Sequence, residues 1–166
     1  MNASHTIPAA SESSTVPIRK TIVVATSAER AFQTFTEHMS MWWPLATHHI
    51  GKSEAITVVI EPFVGGRWFE RGVDGSECEW GRVRTWDPPR RVVLTWEISS
   101  DWQHDPSIQT ELEVQFSPEG TSTRVDLEHR LLQYYGDKAA QMRGIFESEK
   151  GWTGLLEAFA NRAAGS

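Results

Sequence analysis

The chain has 166 residues, 39% of them hydrophobic and 23% charged, with a net charge of −6. That length suits one domain with its own core, and the composition excludes a wholly disordered chain. The acidic balance argues against nucleic acid as a partner, no apolar run approaches the ~18–20 residues of a membrane span, and the single cysteine, Cys78, leaves neither an internal disulfide nor a multi-cysteine metal site.

Residues 1–16 are rich in Ser, Ala and Thr, with no basic start and no apolar run. They read as a flexible tail rather than an export signal, so a reduced, cytoplasmic setting is expected. Residues 17–163 then read as a single domain. Ile18–Ala25 is short and β-branched, which predicts a strand. Thr26 or Ser27 can cap the helix that follows, where Ala28, Ala31, Phe32 and Phe35 recur at helical spacing. A second short helix or turn carries Met39, Met41, Trp42 and Trp43 and stops at Pro44. Residues 47–54 read as a loop.

From Ile56 the period changes to two. Strands are predicted over 56–64, 67–73, 77–86, 91–99, 110–116 and 121–131. Gly65-Gly66, Asp74-Gly75, Asp87-Pro88-Pro89 and Ser117-Pro118-Glu119-Gly120 separate them as turns. Asp137–Ala163 reads as one long helix, with Met142, Ile145, Trp152, Leu156, Phe159 and Ala163 along one face. Gly144, Gly151 and Gly154 weaken it and mark where it would kink. The fold expected is α+β: a curved, six- to seven-stranded antiparallel sheet wrapped around a long C-terminal helix, with two short helices after the first strand. Such a meander buries the helix across its concave face and often leaves a cavity there.

The order of several fragments resembles one superfamily. Ala31-Phe32, Met41-Trp42-Trp43-Pro44 and Ile60-Glu61-Pro62 are followed by Gly65-Gly66-Arg67-Trp68-Phe69-Glu70. Then come Trp80-Gly81-Arg82-Val83, Trp86-Asp87-Pro88-Pro89, Leu94-Thr95-Trp96, Leu127-Glu128-His129 and Gly151-Trp152. Over residues 17–163 the chain resembles the START-like, or SRPBCC, superfamily with its helix-grip (START/Bet v-like) fold. Within it, the chain is similar to the bacterial relatives of the activator of heat-shock-protein-90 ATPase. The resemblance implies an internal cavity but no single activity, since members include lipid and polyketide binders, cyclases and chaperone activators. The full-length chaperone activators carry a separate N-terminal domain, and only ~16 residues stand in that place here.

Eight tryptophans in 166 residues is the outlying count. Strand parity puts Val92, Leu94, Trp96 and Ile98 on one face, and Val125, Leu127, His129 and Leu131 on one face. Trp42, Trp43, Phe63, Trp68, Trp80, Trp96 and Trp152 are the candidate ligand-binding aromatics; the alternative is that they fill the core. Adjacent residues cannot both face one core, so either Trp42 or Trp43 is expected at a mouth or an interface. His129 occupies an otherwise apolar parity position, and Glu70 shares a face with Trp68. These two complete the candidate ligand-binding set, either as an acid/base pair or with one of them set against Arg82; a satisfied structural hydrogen bond is the alternative.

His48-His49 lacks further ligands at metal spacing, and Gly51-Lys52-Ser53 lacks the earlier glycine of a phosphate loop, with Ala46 in its place. No metal or cofactor is expected. Cys78, between Glu77 and Glu79, is not expected to act as a nucleophile. Glu111 and Glu113 read as a solvated strand face. The function expected is binding of a small apolar or aromatic molecule between sheet and C-terminal helix. Stimulation of a chaperone ATPase and cyclase- or hydrolase-type catalysis by Glu70 and His129 are the alternatives. Monomer and homodimer both remain open.

Overall fold

A computed structural model describes residues 14–165. Most of the expected tail, 1–13, lies outside the described residues. Seven strands form one antiparallel sheet: β1 Ile18–Val24, β2 Ala55–Ile60, β3 Arg67–Gly72, β4 Glu77–Asp87, β5 Arg91–Trp96, β6 Thr110–Glu119 and β7 Ser122–Arg130. Their order in space is β1-β7-β6-β5-β4-β3-β2. The six later strands run as the expected meander, and β1 closes it by pairing with β7, Ile18 opposite His129.

Helix α1, Ala28–Phe35, starts at Ser27, whose hydroxyl accepts the Arg30 N–H at 3.2 Å. It buries Ala28, Ala31, Phe32 and Phe35 against the sheet. A single 3₁₀ turn over Met39–Met41 follows. After β7 comes a 3₁₀ segment, Leu132–Lys138, then α2 Ala139–Glu147 and α3 Trp152–Gly165. The expected C-terminal helix is therefore present but interrupted over residues 148–151, at the glycine that the sequence marked. A Cβ on Gly151 would stand 2.3 Å from the carbonyl oxygen of Phe146 and 2.4 Å from that of Ile145, so only glycine lets the chain turn back so tightly.

Three boundaries differ from the sequence expectation. β2 ends at Ile60, ahead of Pro62, which has no N–H for the ladder. This leaves Phe63 and Val64 in an exposed turn. β5 ends at Trp96, and Ile98 pairs in a separate bridge with His104. The β6–β7 hairpin is tighter than predicted, since the strands run to Glu119 and from Ser122 and Gly120 takes the left-handed turn position with φ 62°.

The core lies between the concave face of the sheet and α1, α2 and α3. The inward set of β5, Val92, Leu94 and Trp96, is buried there, and so is Ile98 just beyond the strand. A second glycine fixes the sheet near its middle. At Gly81 the β5 backbone comes so close that a Cβ would sit 1.8 Å from the carbonyl oxygen of Thr95. That approach orients Trp80 inward, and the Trp80 carbonyl accepts the Glu97 N–H at 2.6 Å.

Candidate functional site

A cavity of about 640 Å³ opens between the 44–54 segment, strands β4 and β5, the 99–108 loop and the α2–α3 connection. Its deep wall is aromatic. Trp43, Trp80, Trp96 and Trp152 line it, joined by Phe146 from α2 and Trp102 from the loop after β5. The indoles touch one another: Trp43 and Trp80 are tilted, 5.2 Å between centroids, and Trp96 and Trp152 meet edge to face at 5.9 Å.

The indole N–H groups point into the protein rather than into the cavity. Trp43 Nε1 donates to the His48 carbonyl at 2.9 Å, Trp80 Nε1 to Glu70 Oε1 at 2.8 Å, and Trp152 Nε1 to His129 Nδ1 at 3.1 Å. The Trp96 Nε1 is buried and makes no hydrogen bond among the described residues. What the wall offers a ligand is therefore flat hydrocarbon and π-surface.

Glu70 and His129 hold this wall from behind, and they do so separately. Glu70 is 2% exposed and stands on β3 beside Trp68. Its carboxylate accepts the backbone N–H of Ile50 at 2.7 Å and of Gly51 at 3.0 Å, besides the Trp80 indole. One buried carboxylate thus fastens the 47–51 segment to the sheet. His129 is fully buried. Because an indole N–H can only donate, Nδ1 of His129 is the acceptor and Nε2 carries the proton. Nε2 then donates to Thr110 Oγ1 at 2.9 Å, and the Thr110 hydroxyl donates to the Trp96 carbonyl at 2.8 Å. Burial lowers the His129 pKa to about 3, so the ring is neutral at ordinary pH and both its nitrogens are spent. The expected contact between Glu70 and His129 does not form, and Arg82 pairs with Glu79 instead.

Of the other expected residues, Trp42 lies off the cavity. Its Nε1 donates to the Thr34 carbonyl at 2.8 Å, and its ring packs on Phe35 and Phe159. Trp43 is the member of the pair that reaches the cavity. Trp68 sits behind the wall, fully buried against Trp80 and Trp96, and its N–H makes no hydrogen bond among the described residues. Phe63 is exposed in the β2–β3 turn and lines nothing here. The sequence reading missed Trp102, Phe146, Ile145, Leu155 and Lys150 in the wall. Trp102 had a signal: a tryptophan stranded in an otherwise polar loop.

The polar groups of the wall gather at its mouth: Thr47, His48, His49 and Lys150. His48 Nε2 meets the Lys150 carbonyl at 2.7 Å and its Nδ1 meets Thr47 Oγ1 at 2.8 Å, which ties the two sides of the mouth together. No group of three or more His, Cys, Asp or Glu suited to a metal occurs among the described residues. Cys78 lies behind the 49–51 turn, where burial, and then the charges of Glu70 and Asp74, push its thiol up.

The family model described as "Activator of Hsp90 ATPase homolog 1-like protein" matches residues 25–164. The chain belongs to this family. Among solved structures, this AHSA1-like chain is 41% identical to an anthrahydroquino-γ-pyrone synthase, Txn09, with TM-score 0.62, over 87% of this chain and 95% of that one. It is 30% identical to CalC, a self-sacrificing resistance protein from Micromonospora echinospora, with TM-score 0.69, over 92% and 96% of the two chains. The Aha1 dimer from Colwellia psychrerythraea shares the fold at 17% identity and TM-score 0.60, over 90% and 96%. No curated protein matches the sequence. No helix among the described residues is long and apolar enough to cross a membrane.

Proposed function

We propose that this AHSA1-family chain binds a planar, polycyclic aromatic molecule in the cavity beneath its C-terminal helices. The observation that carries the reading is the wall itself: four touching indoles whose N–H groups are turned away from the cavity or buried. The volume falls within the ~300–1,000 Å³ usual for small-molecule sites. The 41% identity to a synthase named for an anthrahydroquino-γ-pyrone supports a fused-ring ligand, and it favours ring-forming catalysis on such a molecule as the second reading. Activation of a chaperone ATPase has the family's name and a fold-level likeness to the Aha1 dimer behind it, and no feature of the cavity speaks for it.

The test is a titration with 2-(hydroxymethyl)anthraquinone, followed by tryptophan fluorescence. Saturable quenching with a micromolar Kd, about −8 kcal/mol, is expected. Trp96→Leu should weaken it about ten-fold, the equivalent of ~1.4 kcal/mol of lost ring contact. Quenching that never saturates, or an unchanged Kd in the variant, removes the reading.

A further inference from the structure

We propose that His49 is the proton-transferring group of the cavity, taking a proton through Nε2 from a phenolic or enolic O–H of the bound aromatic and returning it. This rests on the cavity being a ligand site, as proposed above.

The tautomer of His49 is fixed by its surroundings. Nδ1 stands 3.1 Å from the carbonyl oxygen of Gly51. A carbonyl only accepts, so Nδ1 carries the hydrogen and Nε2 carries the lone pair. Among the described residues Nε2 has no hydrogen-bond partner, and the side chain, 25% exposed, lines the cavity. The other two imidazoles near the site are not free in this way. His48 and His129 each spend both ring nitrogens on the protein.

The surroundings suit a ring that gains a charge. Glu70 Oε2 lies 3.8 Å from His49 Nδ1, screened from water at 2% exposure, so a carboxylate faces the Nδ1 edge of the ring. This is the arrangement of a base held in orientation by a backbone carbonyl, with a carboxylate standing further behind the ring. Among the described residues the wall includes no Asp or Glu, and Lys150 is its one lysine. The other titratable groups nearby are His48 and Lys52 on the same segment and Cys78 on β4, whose Sγ lies beside Gly51.

In the step itself, the ligand O–H bond breaks, its electron pair stays on oxygen, and the proton forms an N–H bond at Nε2. No oxidant or second reactant enters. The substrate class is therefore an acidic fused-ring aromatic, a phenol or enol, rather than a neutral hydrocarbon.

The test uses the full chain and 1,2-dihydroxyanthraquinone, whose visible absorption reports ionisation. 2-(Hydroxymethyl)anthraquinone, which has no phenol, is the control. The bound phenol should ionise about 1–3 pH units below the free one. His49→Gln can still donate to the Gly51 carbonyl but cannot take the proton, and should undo most of that shift. The variant should still bind the control probe saturably, which shows that the cavity is intact. A bound phenol that ionises where the free one does, or a shift undiminished in the variant, overturns the assignment to His49. Failure of both probes to bind overturns the cavity reading instead, and the proton transfer with it.

Discussion

Burying a histidine that cannot accept a proton makes folding sensitive to mild acid, and the size of the effect follows from His129. Burial lowers its pKa to about 3, against ~6.5 in an unfolded chain. Between those values the unfolded chain binds a proton that the folded chain refuses. Stability is therefore at full strength above pH ~6.5 and falls as the pH drops toward about 3. At ~1.4 kcal/mol per pH unit, moving from pH 7 to pH 5 removes about 2 kcal/mol. For a chain of this size that lowers Tm by roughly 4–8 °C. His129→Gln tests the cause. Its amide oxygen can accept from Trp152 Nε1 and its amide N–H can donate to Thr110 Oγ1, yet it does not titrate. The variant should start lower at pH 7 by about 1–2 kcal/mol, because the ring contact with Phe146 at 4.5 Å is lost. It should then lose much less than the native chain between pH 7 and pH 5. Urea melts of both proteins at the two pH values give the numbers. Equal losses in both, or no loss in the native protein, would refute the argument.

Two more substitutions probe the frame around the cavity. Gly81→Ala drives a methyl group into the Thr95 carbonyl of the facing strand, 1.8 Å away, and should cost about 3 kcal/mol or more by parting β4 from β5; a thermal melt within a few degrees of the native protein would contradict it. Trp102→Gly should change stability by less than ~1 kcal/mol, because the tryptophan is 41% exposed and its left-handed backbone, φ 59°, is strained. The same variant should bind 2-(hydroxymethyl)anthraquinone more weakly, so a urea melt and a fluorescence titration together decide whether Trp102 serves binding or folding.

The sheet was legible in the sequence because period-two burial and turn residues act locally. Leu94, Trp96, Leu112, Val114, Leu127 and His129 all face inward as their parity predicts. The pairing of β1 with β7 depends on chain ends far apart in sequence, and the family resemblance, rather than any local signal, pointed to the fold that contains it. The site was only partly legible. Parity could place Glu70 and His129 on the inner face, but the donors they meet come from other elements: the 50–51 turn and Trp80 for one, Trp152 and Thr110 for the other. At Trp42-Trp43 both rings are buried, and Trp43 alone of the two reaches the cavity. Glu113 was expected in solvent, yet it is 9% exposed beneath Arg91 and Arg130, because arginines on neighbouring strands lie over it. His49 looked like half of a weak metal motif. The role proposed for it rests on a carbonyl two residues on and a carboxylate on β3.

The contact between indoles has a photophysical consequence. Trp43 and Trp80 stand 5.2 Å apart, Trp80 and Trp68 5.4 Å, Trp68 and Trp96 5.7 Å, and Trp96 and Trp152 5.9 Å. At that spacing an excitation hops from ring to ring faster than any one ring can emit. With Trp42 5.7 Å from Trp43, the four indoles of the wall and the two packed on them form a single antenna of six chromophores. An energy acceptor resting against one of them darkens all six, and removing one ring by mutation leaves the array still able to report. Emission from this protein therefore counts filled cavities, whichever ring the ligand happens to touch.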